Sequence, residues 1–125
     1  MILLDSSVAI DYLRDRTDAV RVVESLALTA EWIGASEIVR FEILAGIRPA
    51  EVEGVEAFFA QLGWVAVDEP ISRRAAALAR QHRPAFGGIE DADYLIAATA
   101  LELEARLLTA SVRHFPMLVG LEPAY

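Results

Sequence analysis

Three separated stretches of this 125-residue chain carry carboxylates set in apolar sequence. Asp5 closes the apolar run Met1-Ile2-Leu3-Leu4. Glu42 lies inside an apolar helical pattern. Asp91 and Asp93 open the segment Asp91-Ala92-Asp93-Tyr94-Leu95-Ile96-Ala97-Ala98-Thr99-Ala100. Carboxylates that avoid solvated faces pay a desolvation cost, and several that converge also repel one another. A hard divalent cation, Mg²⁺ or Mn²⁺, relieves both penalties, because it takes oxygen ligands, keeps several waters and engages phosphate. Such an ion lowers the pKa of a coordinated water and neutralises charge on phosphoryl oxygens. That chemistry suits phosphodiester hydrolysis, which needs positioning and electrostatics more than covalent catalysis.

The acids differ in weight. The helical neighbours of Glu42 at three and four residues are Ile38, Val39, Ala45 and Gly46, so no arginine can form the usual exposed helix pair with it. The alternative is a partly exposed glutamate near a helix end. Asp93 shares a face with Ile89, Ile96 and Ala97, while Glu90, three residues before it, adds a like charge that a cation would offset. Asp91 and Asp93 diverge by about 160° on a helix. Asp91 is therefore the better N-cap and only a possible metal ligand, and Asp93 the better ligand. Asp5 has its own alternative, as N-cap of the next helix. Ser6, Ser7, Thr109 and Ser111 are hydroxyls near the same strand ends, where capping is their ordinary role. His82 and His114 lack metal-ligand spacing, and His114 is expected to pack beside Phe115.

The elements that must carry these residues are short. Met1–Leu4 reads as a buried strand. Ser6 or Ser7 caps a helix to about Arg14, and Thr17 or Asp18 caps a second. Trp32–Ala35 is a strand, Ser36 caps a helix to Gly46, and Glu51 to about Leu62 is helical. Trp64–Val67 is a strand and Ser72–His82 a helix. A breaker-rich loop runs from Arg83 to Gly88. Glu90–Glu104 is the most apolar helix, Arg106–Thr109 a strand, Val112–Phe115 a turn, and Val119 lies in a last strand candidate. Strands alternating with helices imply an α/β fold with a parallel sheet covered on both faces. Asp5 and Thr109 then lie at strand carboxyl ends, where such sheets open their ligand crevice.

Composition narrows the chemistry. One domain, residues 1–125, is expected. The chain has no cysteine, which removes disulfides, zinc-thiolate sites and cysteine nucleophiles, and fits a cytoplasmic protein. All eleven basic residues are arginine, so lysine chemistry is excluded. No apolar stretch approaches the roughly 20 residues of a membrane span. With a net charge of −8, nucleic acid would have to be held by local arginines rather than by the overall field. Walker A, GxGxxG and GxSxG patterns are absent. Receiver and haloacid-dehalogenase phosphatases share an Asp after the first strand, but both rely on a lysine. A small-molecule phosphatase on a similar scaffold is the weaker enzymatic alternative.

Four stretches together resemble one family. Leu3-Leu4-Asp5-Ser6-Ser7-Val8-Ala9-Ile10-Asp11-Tyr12-Leu13 is similar to the opening of PIN-domain proteins, and Arg40-Phe41-Glu42-Ile43-Leu44-Ala45-Gly46 to their second motif. Asp93-Tyr94-Leu95-Ile96-Ala97-Ala98-Thr99-Ala100 resembles the third, and Leu107-Leu108-Thr109-Ala110-Ser111-Val112-Arg113-His114-Phe115-Pro116 the last. Order, spacing and length resemble the VapC toxins of type II toxin–antitoxin pairs. The resemblance implies a three-layer α/β/α fold with four to five parallel strands. It also implies a Mg²⁺- or Mn²⁺-dependent endoribonuclease acting on structured RNA such as tRNA or rRNA, neutralised by a VapB-type antitoxin. By motif match Asp5, Glu42 and Asp93 are the metal-binding, catalytic acids, with Ser6, Thr109 and Ser111 in support. Family members commonly carry Asp or Asn where this chain has Ser111. That departure supports an alternative, a catalytically impaired module that binds RNA or antitoxin. Arg14, Arg16, Arg40, Arg48, Arg73, Arg83 and Arg113 are candidates to grip phosphate. Apolar faces expected on helices 20–28 and 55–62 suggest a homodimer and an antitoxin groove.

Overall fold

A computed structural model describes all residues, Met1–Tyr125. β1 (Ile2–Leu4) is central to a sheet of order β3-β2-β1-β4, with β2 at Ile33–Ser36, β3 at Gly63–Val65 and β4 at Arg106–Leu108. Every pairing is parallel, with Ile2 opposite Ile33 and Arg106, and Leu4 opposite Leu108. A strand covered on both faces must be apolar at successive positions, not alternate ones. Ile2, Leu3 and Leu4 obey this and are all buried.

Six helices flank the sheet: α1 (Ser6–Leu13), α2 (Thr17–Ala27), α3 (Glu37–Gly46), α4 (Val52–Phe59), α5 (Glu69–His82) and α6 (Asp91–Leu103). The result is the α/β/α arrangement expected. Ser36 caps α3 by accepting the Ile38 N–H at 3.2 Å, satisfying one of the free donors at the helix start. The other two expected caps are corrected. The N-cap positions of α1 and α2 are Asp5 and Arg16, and neither side chain bonds the helix start. α6 is apolar nearly all round, and Tyr94, Ile96, Ala97, Ala98, Thr99 and Ala100 are buried. It runs through the interior and carries Asp93 on its first turn.

Two further expectations fail. Val119 is not in a strand: it is 101% exposed, and the chain after Phe115 has no regular structure beyond turns. Pro116 and Pro123 remove ladder donors, and Gly120 adopts a positive φ of 78°. The sheet therefore has four strands. The apolar residues of α4 are also not spare surface, since Val55, Phe58 and Phe59 are core, and Phe58 stacks on Tyr12. α2 differs: within 20–28 only Val23 is buried, while Ala27 and Leu28 are exposed. The large apolar side chains left exposed include Phe41 and Leu44 on α3 and Leu28 just after α2.

The Trp32 ring packs against Gly34 of β2 and Gly63 of β3, close enough that neither can carry a side chain without a shift. A Cβ on Gly34 would stand 2.3 Å from that ring and 2.5 Å from the Gly63 carbonyl oxygen. Because backbone blocks one side, Gly34→Ala is expected to destabilise the fold by about 2 kcal/mol through overpacking. A urea melt indistinguishable from wild type would refute this packing.

Candidate metal centre

Asp5 leaves the carboxyl end of β1, and its carboxylate is buried at 4% exposure. The backbone there is extended, and the Asp5 N–H is bound to the Leu108 carbonyl at 2.9 Å, which locks the residue to the end of β4. Instead of capping α1, the carboxylate accepts hydroxyls. Ser7 Oγ and Thr109 Oγ1 each donate to Oδ2 at 2.7 Å, and Ser6 Oγ donates to Oδ1 at a long 3.5 Å. Thr109 lies 104 residues on, but strand order makes β4 the direct neighbour of β1. Ser111 supports Thr109 through its N–H, which donates to Thr109 Oγ1 at 3.0 Å.

Glu42 is half-buried on α3, and its Oε1 is buried without a hydrogen-bond partner. Such an orphaned oxygen carries an uncompensated desolvation cost. Burial pushes the Glu42 carboxyl above its ordinary range against a smaller opposing pull from the Ser6 hydroxyl. The charges of Asp5, Asp93 and Glu90 push it further up. The Asp93 side chain is 15% exposed. Burial raises its pKa too, partly offset by the hydrogen bond from the Glu90 N–H and by His114, with Asp5 and Glu90 adding to the rise. Glu42 therefore feels the charges of Asp5 and Asp93, and Asp93 that of Asp5.

The side chains do not form a closed cage, since no three acidic or histidine residues stand close enough to chelate one ion together. A Mg²⁺-like ion does not require one, because it retains several waters and is held through one or two carboxylates plus substrate phosphate. The orphaned Glu42 oxygen and the two raised carboxyls fit such an ion.

Asp91 is separated from this group. The N-cap position of α6 is Glu90, not Asp91: the Asp93 N–H donates to the Glu90 carbonyl at 3.0 Å, and Asp93 Oδ2 accepts the Glu90 N–H at 3.0 Å. The Asp93 carboxylate thus reaches back to the residue before the helix, the half of a capping box that a cap at Asp91 would not supply. Asp91 faces solvent on the first turn and pairs with the Arg83 guanidinium, which also lies over the Tyr94 ring. Asp91→Ala should therefore leave Mn²⁺ affinity within about twofold of wild type, as an exposed ion pair contributes little. A tenfold loss in a calorimetric titration would return Asp91 to the ligand set.

Two residues at the site were not singled out for it. His114 does not simply pack beside Phe115; its Nδ1 stands 3.6 Å from Asp93 Oδ2. The signal was available, because a 3-10 turn over Val112–His114 brings residues three apart onto one side, and His114 is three beyond Ser111. Ser7, whose ordinary role at such a position is capping, instead bonds Asp5 and the Ala110 N–H.

The largest hollow, about 570 Å³ between α5 and α6, is lined by Arg80, Arg83, Asp91 and Tyr94 and contains none of the three acids. Charge, not volume, marks the site. A smaller crevice between α1 and α3 does reach it, lined by Ile10, Leu13, Arg14, Glu42 and Ile47. Among the candidate arginines, Arg40, Arg48, Arg73 and Arg83 are held by Glu37, Glu51, Glu69 and Asp91. Arg40 also stacks 3.9 Å from the Trp64 ring centre. Arg14, Arg16 and Arg113 have no acidic partner.

Comparison with known proteins agrees with this architecture. The sequence profile of the PIN domain matches residues 2–114. Ribonuclease VapC19 of Mycobacterium tuberculosis is 48% identical over 125 residues, covering all of both chains. Ribonuclease VapC10 of the same organism is 35% identical and is covered over 93% of its length. Among solved structures, a toxin–antitoxin complex from Klebsiella pneumoniae superposes with a TM-score of 0.84 at 20% identity, covering 100% of this chain and 98% of the other. VapBC2 from Rickettsia felis, bound to a DNA fragment from its promoter, gives 0.82 at 20% identity, covering 97% and 96%.

Proposed function

The chain belongs to the PIN-domain family, and from that premise we propose that it is a metal-dependent endoribonuclease, the toxin of a VapBC-type pair, built as one domain over residues 1–125. The observation that carries this reading is the buried, partnerless oxygen of Glu42, which shares its field with Asp5 and Asp93. Asp5, Glu42 and Asp93 would hold Mg²⁺ or Mn²⁺. When bound, such an ion supplies Lewis-acid charge and an acidified water for phosphodiester hydrolysis.

The remaining roles belong to the chain itself. Thr109 and Ser6 orient Asp5, and Ser111 holds Thr109 through its amide. The Glu90 amide fixes the Asp93 rotamer. Arg14, beside Glu42, and Arg113, beside His114, are free to take RNA phosphate. The three raised or buried acids repel an RNA backbone in the absence of a cation, so binding of phosphate and of metal should reinforce each other. The exposed Phe41 and Leu44 on α3 suit burial in a homodimer or against a VapB-type antitoxin. No helix is long and apolar enough to cross a membrane, and we place the protein in the cytoplasm.

Purified, antitoxin-free protein is expected to cleave structured RNA with Mg²⁺ or Mn²⁺ and to stop in EDTA. Cleavage unaffected by EDTA would overturn the metal assignment. Ser111, in place of an acid, favours one second reading, an RNA- or antitoxin-binding module. RNA binding without cleavage under any divalent ion would select it.

A further inference from the structure

Ser7 bridges two parts of the chain that are distant in sequence. Its Oγ donates to Asp5 Oδ2 at 2.7 Å, accepts the Ala110 N–H at 3.0 Å, and stands 3.3 Å from Thr109 Oγ1. Thr109 Oγ1 likewise donates to Asp5 Oδ2 at 2.7 Å and accepts the Ser111 N–H at 3.0 Å. A hydroxyl has one proton to give. The two 2.7 Å contacts have the length of charge-assisted O–H···O⁻ bonds. Both protons are therefore spent on Asp5, and the 3.3 Å Ser7–Thr109 approach is a contact between two acceptors. The arrangement is closed: each hydroxyl takes one backbone N–H from the loop after β4 and passes one O–H to the same carboxylate oxygen. Oδ2 is filled, whereas Oδ1 has only the long Ser6 contact.

We propose that Ser7 is a positioning residue which, with Thr109, fills Asp5 Oδ2 and leaves Oδ1 as the single oxygen presented to a divalent cation. The proposal rests on the metal reading above and deepens it by naming which oxygen binds and what holds it there. Three hydrogen bonds hold Asp5, two of them on its carboxylate. The Asp5 backbone is tied to β4 through the Leu108 carbonyl, and its side chain is tied by Ser7 from α1 and Thr109 from beyond β4. With Oδ2 pinned, rotation about the final Asp5 bond is blocked, so a cation meets a carboxylate that has already lost its rotational freedom. A carboxylate free to turn would pay that entropy on binding, or would chelate with both oxygens and crowd out water. The amides of Ala110 and Ser111, aimed at the hydroxyls, strengthen both donors through the chain of hydrogen bonds.

Calorimetric titration of the metal-free full-length protein with MnCl₂ tests this. Removal of an outer hydrogen-bond partner of a metal ligand typically costs at least about tenfold in affinity, and Ser7→Ala is expected to weaken Mn²⁺ binding to that extent. Ser7→Thr, which restores the hydroxyl, should recover affinity to within about threefold of wild type. Ser7→Ala should keep the wild-type far-ultraviolet circular dichroism spectrum and a single cooperative thermal transition, which separates loss of a positioned ligand from general damage to the fold. If Ser7→Ala does not fold, Ser7→Cys keeps the volume but offers a weak donor, and it should show the same loss. Wild-type affinity in a folded Ser7→Ala or Ser7→Cys variant would overturn the Ser7 assignment alone. Absence of Mn²⁺ binding by the wild-type protein would overturn the metal reading and this proposal with it.

Discussion

Asp5→Asn is expected to lower metal-dependent RNA cleavage by about 10²–10³-fold, the cost of removing one preorganised electrostatic partner from a buried site. The substitution is chosen to spare the fold. Asparagine has the shape of aspartate, and its carbonyl oxygen can still accept the protons of Ser7 and Thr109 that Asp5 Oδ2 accepts now. The amide nitrogen then occupies the position of Oδ1. It offers no lone pair and turns two partly positive hydrogens toward the cation. Cleavage should fall in parallel with Mn²⁺ affinity, while the thermal midpoint stays within a few degrees of wild type. Wild-type cleavage by a folded Asp5→Asn protein would remove Asp5 from the site and leave the hydroxyl network without a function.

Glu42→Gln is expected to separate activity from stability. Cleavage should fall by about 10²-fold as a metal ligand is lost. The metal-free fold should become more stable, because the substitution removes a charge that is half-buried and faces three other acids. The folded Glu42 pKa lies above its ordinary value, so the folded protein holds this proton more tightly than the unfolded chain does. The favourable contribution is therefore complete below the ordinary glutamate pKa and is lost as pH rises through the folded value. Asp93 shifts in the same direction for the same leading reason, burial. Metal-free protein should lose stability from mildly acidic to neutral pH through these two groups, and Glu42→Gln should flatten that slope. At neutral pH the gain is about 1 kcal/mol after allowance for solvent screening, or about 4 °C in the midpoint. Saturating Mn²⁺ should stabilise the wild type and have little effect on the variant. A Glu42→Gln protein less stable than wild type without metal would mean that Glu42 is satisfied by a partner and is not held in reserve for a cation.

Much of the scaffold was legible because its signals are local. An apolar run of the length of β1 has few alternatives when both faces must be covered. Ser36 before an amphipathic segment states where α3 begins, and the charge-free flanks of Glu42 left open whether it turns inward or stays partly exposed; it is half-buried. The expected fifth strand is absent because Pro116, Pro123 and the positive φ at Gly120 decide the backbone around Val119. The apolar stripe of α4 is core and not surplus, because a pattern shows which side is apolar, not how much core is available to cover it. Val55, Phe58 and Phe59 are used up against Tyr12, Trp64 and the sheet.

At the site, the sequence by itself determined the kinds of residue available and the spacing of the acids. With no cysteine or lysine, and with Asp5, Glu42 and Asp93 set in apolar surroundings, oxygen ligation of a hard cation was the chemistry left open. Only the tertiary structure decided which atoms are free to do it. Asp91 and Asp93 are two residues apart and chemically alike, yet one is spent on Arg83 in solvent and the other turns inward beside His114. Asp5 has two equivalent oxygens in any sequence, and the fold distinguishes them by supplying Ser7 and Thr109 to one alone. The physical reason is reach. Helical and strand periods report contacts within a few residues, whereas the Thr109 bond to Asp5 and the Ala110 N–H that orients Ser7 each span more than a hundred. Those bonds exist because the sheet places β4, the last strand, directly beside β1, the first.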